Sequence, residues 1–133
     1  MLAPSIDIRR DDHDVALALK MIGIWRRAAS LLVSGDYYPL TPFSRSAERW
    51  VVWQFDSPET GEGLIQGIRH QECAEERFAM SLKALRPDSD YVLENPETGE
   101  TRELSGSALM SDGFTFALPR RSGAIWFYRR KGG

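Results

Sequence analysis

The chain has little of what would make its chemistry easy to read. Cys73 is the sole cysteine in 133 residues, which excludes an intramolecular disulfide framework and any metal site built from several thiolates. It is expected to be a structural or partly exposed thiol, nothing in the composition asks for an oxidising compartment, and the expected location is cytoplasmic. His13 and His70 are the only histidines, and neither has a second ligand at a spacing such as H-x-x-x-H, so no metal centre and no cofactor is expected. No run of about 18 apolar residues occurs, which argues against a membrane-spanning helix. Met1 to Arg10 also lacks the basic start and apolar middle of a secretory leader. Excess charge of one sign is missing too. A formal net charge of −2 offers no handle to nucleic acid or an anionic membrane. The basic end Arg129-Arg130-Lys131 is too short to change that and reads as a solvated tail. There is no internal repeat or low-complexity segment.

What is present begins with one long helical pattern. Asp14 is placed to cap it, and Val15 to Val33 runs without proline, with Leu17, Met21, Ile24, Ala28 and Leu31 at alternating steps of four and three. Ile22, Trp25, Ala29 and Leu32 form a second apolar stripe beside the first. The buried arc is therefore wider than a helix lying on one sheet requires, and two neighbours are expected. Ser34-Gly35 supplies the stop, with Gly35 expected in the left-handed conformation. Asp36 to Pro42 (DYYPLTP) is an extended exit held open by two prolines.

Everything after the helix reads as β-structure. Following the polar linker Phe43 to Arg49, Trp50 to Phe55 is an aromatic and β-branched run expected to be a strand buried on both faces. Asp56 to Gly63 is dense in turn formers and leads to a strand over Leu64 to His70, in which Gly67 marks a bulge or a close backbone approach. Arg77 to Leu82 alternates, with Phe78, Met80 and Leu82 facing inward. Tyr91 to Glu94 and Thr101 to Leu104 flank the loop Asn95 to Glu100 as a hairpin, and Ser105 to Asp112 can form a single helical turn or a tight loop. Phe114 to Leu118 and Ala124 to Tyr128 complete the count. The pattern predicts a mainly β fold: an antiparallel β-sandwich of Greek-key type with about seven strands, preceded by one long N-terminal α-helix. Residues 1–42 form the helix and extended linker, and 43–133 the sandwich domain.

Three markers in order carry a family resemblance: LLVSGDYYPLTP (Leu31 to Pro42), RWVVWQFDSPETGEGLIQGIRH (Arg49 to His70) and LRPDSDYVLENPETGETRELSGSALMSDGFTFALP (Leu85 to Pro119). Together they resemble the C-terminal portion of bacterial α-galactosidases of glycoside hydrolase family 36, from about Ile22 onward. The resemblance implies that the helix is similar to the last helix of a (β/α)8 barrel and that the strands form the C-terminal antiparallel sandwich that follows it. It also implies a retaining mechanism in the parent, with one aspartate as nucleophile and a second as acid/base. The family's nucleophile lies in a Lys-Trp-Asp type strand end, and here Trp53 is followed by Gln54. No residue of this chain matches a catalytic position, and a 133-residue chain is too short for a barrel of roughly 250 residues. The chain alone is therefore expected not to be an enzyme.

The remaining chemistry-bearing residues have plain alternatives. Asp11, Asp12 and Asp14 gather at a helix start, where negative charge is stabilised by about 0.3 to 1 kcal/mol, and Glu72, Glu75 and Glu76 read as a solvated loop. Asp36, Tyr37 and Tyr38 are candidates for contacts at the domain junction, with capping and packing as the alternative. Sugar sites use flat aromatic faces with polar rims, and so do sandwich cores. Trp53 and Trp126 lie in apolar runs and read as core, Trp25 is expected against the sandwich or the absent barrel, and Trp50, next to Arg49, is the candidate for exposure and sugar stacking. Three functions follow: a non-catalytic sandwich bracing the barrel of an α-galactosidase-like parent, a carbohydrate-binding module for α-galactosides, and a free-standing interaction domain that joins a partner or itself through the helix.

Overall fold

The computed structural model describes residues 9–12 and 14–132. His13 and the first eight residues of the stretch read for a leader lie outside the described residues.

Helix α1, Val15–Ser34, begins as the sequence predicts: the Asp14 carboxylate accepts a hydrogen bond from the Leu17 amide at 2.9 Å. Its end differs. Gly35 is extended, at φ −86° and ψ 157°, while its amide still bonds the Leu31 carbonyl. A Cβ at Gly35 would lie 2.6 Å from the Leu31 oxygen and 3.1 Å from the Asp56 oxygen. Close backbone approach, not a left-handed turn, is what the glycine serves. The chain leaves the helix straight into a strand.

The strands are β1 (Asp36–Pro39), β2 (Trp50–Ser57), β3 (Glu62–Arg69), β4 (Arg77–Met80), β5 (Asp90–Glu94), β6 (Thr101–Ser105), β7 (Phe114–Ala117) and β8 (Ser122–Arg130), with the short helix α2 (Gly106–Ser111) between β6 and β7. They form a six-stranded sheet in the order β1-β2-β3-β8-β5-β6 and a two-stranded sheet β4-β7, with every pairing antiparallel. The fold is a long helix followed by a mainly β, sandwich-like body, as expected. Three local readings are corrected. The exit after the helix is not a free linker, because β1 pairs with β2 from Asp36↔Asp56 to Pro39↔Trp53. The turn-rich stretch 56–63 is half strand: Asp56 and Ser57 end β2, Glu62 and Gly63 begin β3, and the four residues between them make the turn. The basic end is not a free tail, since Arg129 and Arg130 belong to β8 and Lys131 Nζ lies 2.5 Å from Glu103.

The two faces of the large sheet are covered differently. One face packs against β4, β7 and α2, and its core includes Trp50, Val52, Ile65, Leu93, Trp126 and Tyr128 from the sheet with Met80, Leu82, Phe114, Phe116 and Leu109 from opposite. Phe78, Met80 and Leu82 do face inward, Phe78 only partly buried. Gly67 is required here, because a Cβ would sit 2.9 Å from the Phe116 ring, so β3 runs close under β7. The other face carries α1. Ala28 and Leu31 pack on Leu64 and Phe127, with Ile24, Leu32, Phe55 and Ile125 partly buried around them. Only the second half of the helix reaches the sheet. Leu17 and Met21, on the same stripe as Ile24 and Leu31, remain 54% and 43% exposed.

Candidate functional site

The four residues singled out for junction or sugar contacts do not meet. Asp36, Tyr37 and Tyr38 lie on edge strand β1 opposite Asp56, Phe55 and Gln54. Trp50 lies at the far end of β2 opposite Arg69, four residues beyond Gln54 and hence about 13 Å away along the strand. Asp36 is exposed, Tyr37 is 57% exposed with its ring 5.2 Å from Phe55, and Tyr38 is half-buried.

Trp50 corrects the expectation of an exposed platform. It is 3% exposed, its ring is stacked on Phe78 at 5.9 Å and 21°, and its indole N–H donates to the Glu75 carbonyl at 2.9 Å. Trp126 is buried as expected, whereas Trp53 is only half-buried. The reason for the burial of Trp50 is the loop after β3. Arg69, itself 3% exposed, donates to the carbonyls of Cys73, Ala74 and Leu118, folding residues 70–76 over the start of β2. A buried guanidinium answered only by backbone carbonyls is a positioning device, since each bond to a charged group is worth about 1.5–3 kcal/mol. Cys73 is buried inside the same loop, while Glu72, Glu75 and Glu76 are exposed, as expected for a solvated loop.

One polar cluster escaped sequence reading. Asp56, 3% exposed, accepts a 2.6 Å hydrogen bond from the Tyr128 hydroxyl, and Gln54 Nε2 donates to that hydroxyl at 2.9 Å. Gln54 is anchored in turn: Nε2 donates to the Lys83 carbonyl and Oε1 accepts from the Lys83 amide. Burial raises the pKa of Asp56 above its ordinary value, against the lowering effect of the Tyr128 bond, and burial followed by the neighbouring Asp56 raises that of Tyr128. With its donors and acceptors used internally, the cluster locks β2 to β8 and to the loop before β5.

Two shallow cavities adjoin the Trp50 end. One of about 590 Å³ is bordered by Thr41, Glu48, Arg49, Glu72, Glu75 and Phe78, and one of about 610 Å³ by Leu40, Pro42, Phe78 and Met80. A third, of about 540 Å³, is an apolar groove between α1 and the large sheet, walled by Met21, Ile24, Trp25 and Leu32 on the helix and by Leu64 and Ile68 on β3. Trp25 thus lies in the cleft between helix and sheet. Asp56 borders none of these three spaces. Among the described residues no three His, Cys, Asp or Glu side chains are grouped as metal ligands, and no helix is long and apolar enough to cross a membrane.

No protein-family model and no curated protein sequence matches the chain. Solved structures do. The galactosidase domain of an α-galactosidase-sucrose kinase, AgaSK, superposes with a TM-score of 0.69 and 22% identity over 91% of this chain and 16% of that one. Two GH36 α-galactosidases of Geobacillus stearothermophilus agree. AgaA gives a TM-score of 0.67 and 22% identity over 92% of this chain and 16% of its own. AgaB gives 0.65 and 24% over 86% and 15%. The fold is that of a segment of GH36 α-galactosidases. The chain spans about one-sixth of the length of each of these enzymes.

Proposed function

We propose that this chain is the non-catalytic C-terminal β-sandwich of an α-galactosidase-like glycoside hydrolase, where it covers and braces a (β/α)8 catalytic barrel that the chain itself does not contain. The observation that carries this reading is the asymmetry of the match: about nine-tenths of this chain superposes on about one-sixth of the GH36 α-galactosidase AgaA. The overhanging helix supports it, because Leu17 and Met21 continue the sheet-packing stripe of α1 beyond the sheet and stay exposed, as a helix shared with a second body would. Hydrolysis of terminal α-galactosides belongs to that parent. It is tested by the reading frame upstream of this segment and by the protein it encodes. A barrel with two catalytic aspartates, whose α-galactosidase activity becomes heat-labile when residues 43–133 are deleted, is the expected result. An upstream frame without a barrel, or a deletion that leaves thermal inactivation unchanged, overturns the reading.

A carbohydrate-binding module is the weaker reading. Its best stacking surface, Trp50, is committed to Phe78 and Glu75, leaving Tyr37 as an exposed aromatic on the β1 edge. Calorimetric titration with α-galactosides separates the two, since heat at millimolar sugar is expected only from a binding module.

A further inference from the structure

The small sheet ends at an open edge. Among the described residues β4 has β7 on one side and no strand on the other. The Leu118 amide donates to the Glu76 carbonyl, and the register runs from Arg77↔Ala117 to Met80↔Phe114. Under antiparallel alternation Phe78 and Met80 therefore bond β7, while Arg77 and Ala79 turn their N–H and C=O groups the other way, an alternation that Ser81 continues. Lys83 follows in the same alternation, and there the Gln54 side-chain amide stands in for a neighbouring strand, accepting from the Lys83 amide at 2.8 Å and donating to its carbonyl at 2.9 Å. Ala79 and Ser81 face a groove instead.

That groove is the cavity of about 610 Å³ along β4, and its far wall is a second strand edge. The Leu40 amide donates to the Val52 carbonyl, extending the β1 ladder by one pair, so Pro39 and Thr41 present their backbone away from β2. Two extended backbones thus flank one space. The other free edges, β6 and the far side of β7, border none of the three cavities. The flanking edges differ in protection: Pro39 and Pro42 blunt the β1 side, whereas Ala79 and Ser81 are small and uncharged. The cavity of about 590 Å³ shares Thr41, Pro42 and Phe78 with the groove and continues it. Its rim sets Glu48, Glu72 and Glu75 against the single cation Arg49, and the opposite end of the groove holds Lys83.

The geometry points to this groove as a docking slot for one extended peptide strand of another chain, laid antiparallel to β4 and bonded to the backbone of Ala79 and Ser81. An unpaired strand edge specifies its occupant, since alternate N–H and C=O groups in a row are answered in register only by another extended backbone. Every second side chain of that strand is apolar and turns onto Leu40 and Phe78, which are partly buried against the core. Charge sets its ends. A strand antiparallel to β4 begins beside Lys83 and finishes at Glu72 and Glu75, so its C-terminal end is basic. No residue of α1 lines either cavity, and the inference does not rest on the galactosidase reading, so either can fail without the other.

The probe is a synthetic peptide of about eight residues, alternating Val and Thr, with Glu at its N-terminal end and Arg at its C-terminal end. Fluorescence anisotropy with the intact chain is expected to show binding that weakens at least about tenfold when the peptide backbone is N-methylated, and about threefold or more when the Glu and Arg ends are exchanged. Hydrogen exchange at the Ala79 and Ser81 amides is expected to slow when the peptide is added. Ala79→Pro removes the donor at the centre of the edge without touching a bond to β7, and is expected to abolish binding with little change in the thermal melt. The exchange measurement uses the unaltered chain, so it decides the outcome even where Ala79→Pro fails to fold. Absence of binding, equal affinity of the N-methylated peptide, or protection that appears at β6 and not at Ala79 and Ser81 overturns the proposal. So does sedimentation of the free chain as a dimer that Ala79→Pro dissociates, because the edge would then belong to a second copy.

Discussion

The two faces of the six-stranded sheet belong to one set of strands and are finished to different degrees. Toward β4 and β7 the sheet presents Val52, Ile65, Leu93 and Tyr128, all 2% exposed or less, against Phe114 and Phe116, also 2%. Rings meet there in preferred tilted and edge-on geometries, such as Phe114 with Phe116 and with Trp126, both at 5.2 Å. Toward α1 the buried set shrinks to Ala28, Leu31, Leu64 and Phe127, and the helix carries Leu17, Leu19 and Met21 into solvent. The first face holds the fold together. The second is covered over only part of the helix's length, and the difference shows where the stability of the fold resides.

The largest test of that contrast is Phe116→Ala. It empties the tightest region of the first core, next to Gly67, and should lower unfolding free energy by about 3–5 kcal/mol in a denaturant titration. Leu31→Ala, on the helix side, should cost less, about 2–3 kcal/mol, because a site bordering an open groove relaxes more readily. If the Leu31 variant proves the more damaged, the contrast between the faces is wrong.

Asp56 gives a smaller effect, readable by pH. Its folded pKa is raised above the unfolded value near 3.8 by burial. In the window just above 3.8 the folded state therefore holds a proton that the unfolded state has released, and stability falls as pH rises through it. Asp36, Glu59 and Arg130 also face this carboxyl, the first two adding to the shift and the last opposing it. Asp56→Asn keeps an acceptor for Tyr128 and should flatten that slope. Denaturation series at several pH values check it, and a slope identical to that of the unaltered chain would place the pH dependence elsewhere. The smallest change is expected from Leu19→Ser. At 65% exposure it should shift stability by no more than about 0.5 kcal/mol, as a denaturant titration would show.

Much of the architecture was legible because it rests on local periodicity. Asp14 as cap, the stripe from Ile24 to Leu31, the alternation of Phe78, Met80 and Leu82, and the hairpin around Asn95 to Glu100 are each dictated by neighbours a few residues away. The excess width of the helix's apolar arc was legible as well, and part of it, at Leu17 and Met21, stays exposed. The misreadings concern residues whose surroundings come from far along the chain. Trp50 looked exposed beside Arg49, yet it is buried by the loop that Arg69 ties down from about 20 residues further on. Asp56 sits in a string of turn formers, and only pairing with β3 and the hydroxyl of Tyr128 makes it a buried strand residue. Gly35 carries the ordinary signature of a helix stop, but its role is set by the Asp56 carbonyl pressed against it.

The sequence by itself determined the elements and their polarity: one helix with a broad apolar arc, then short strands of alternating pattern, in a chain too small for a catalytic barrel. Tertiary structure decided which surfaces were consumed. Hydrophobic patterning states that a side chain is apolar but not which neighbour covers it. Only with β1 added to the sheet edge and α1 laid across β3 and β8 does it emerge that one stripe of the helix is satisfied over half its length. The second stripe, Ile22, Trp25, Ala29 and Leu32, is half-buried, with Trp25 and Leu32 walling the groove beside the sheet.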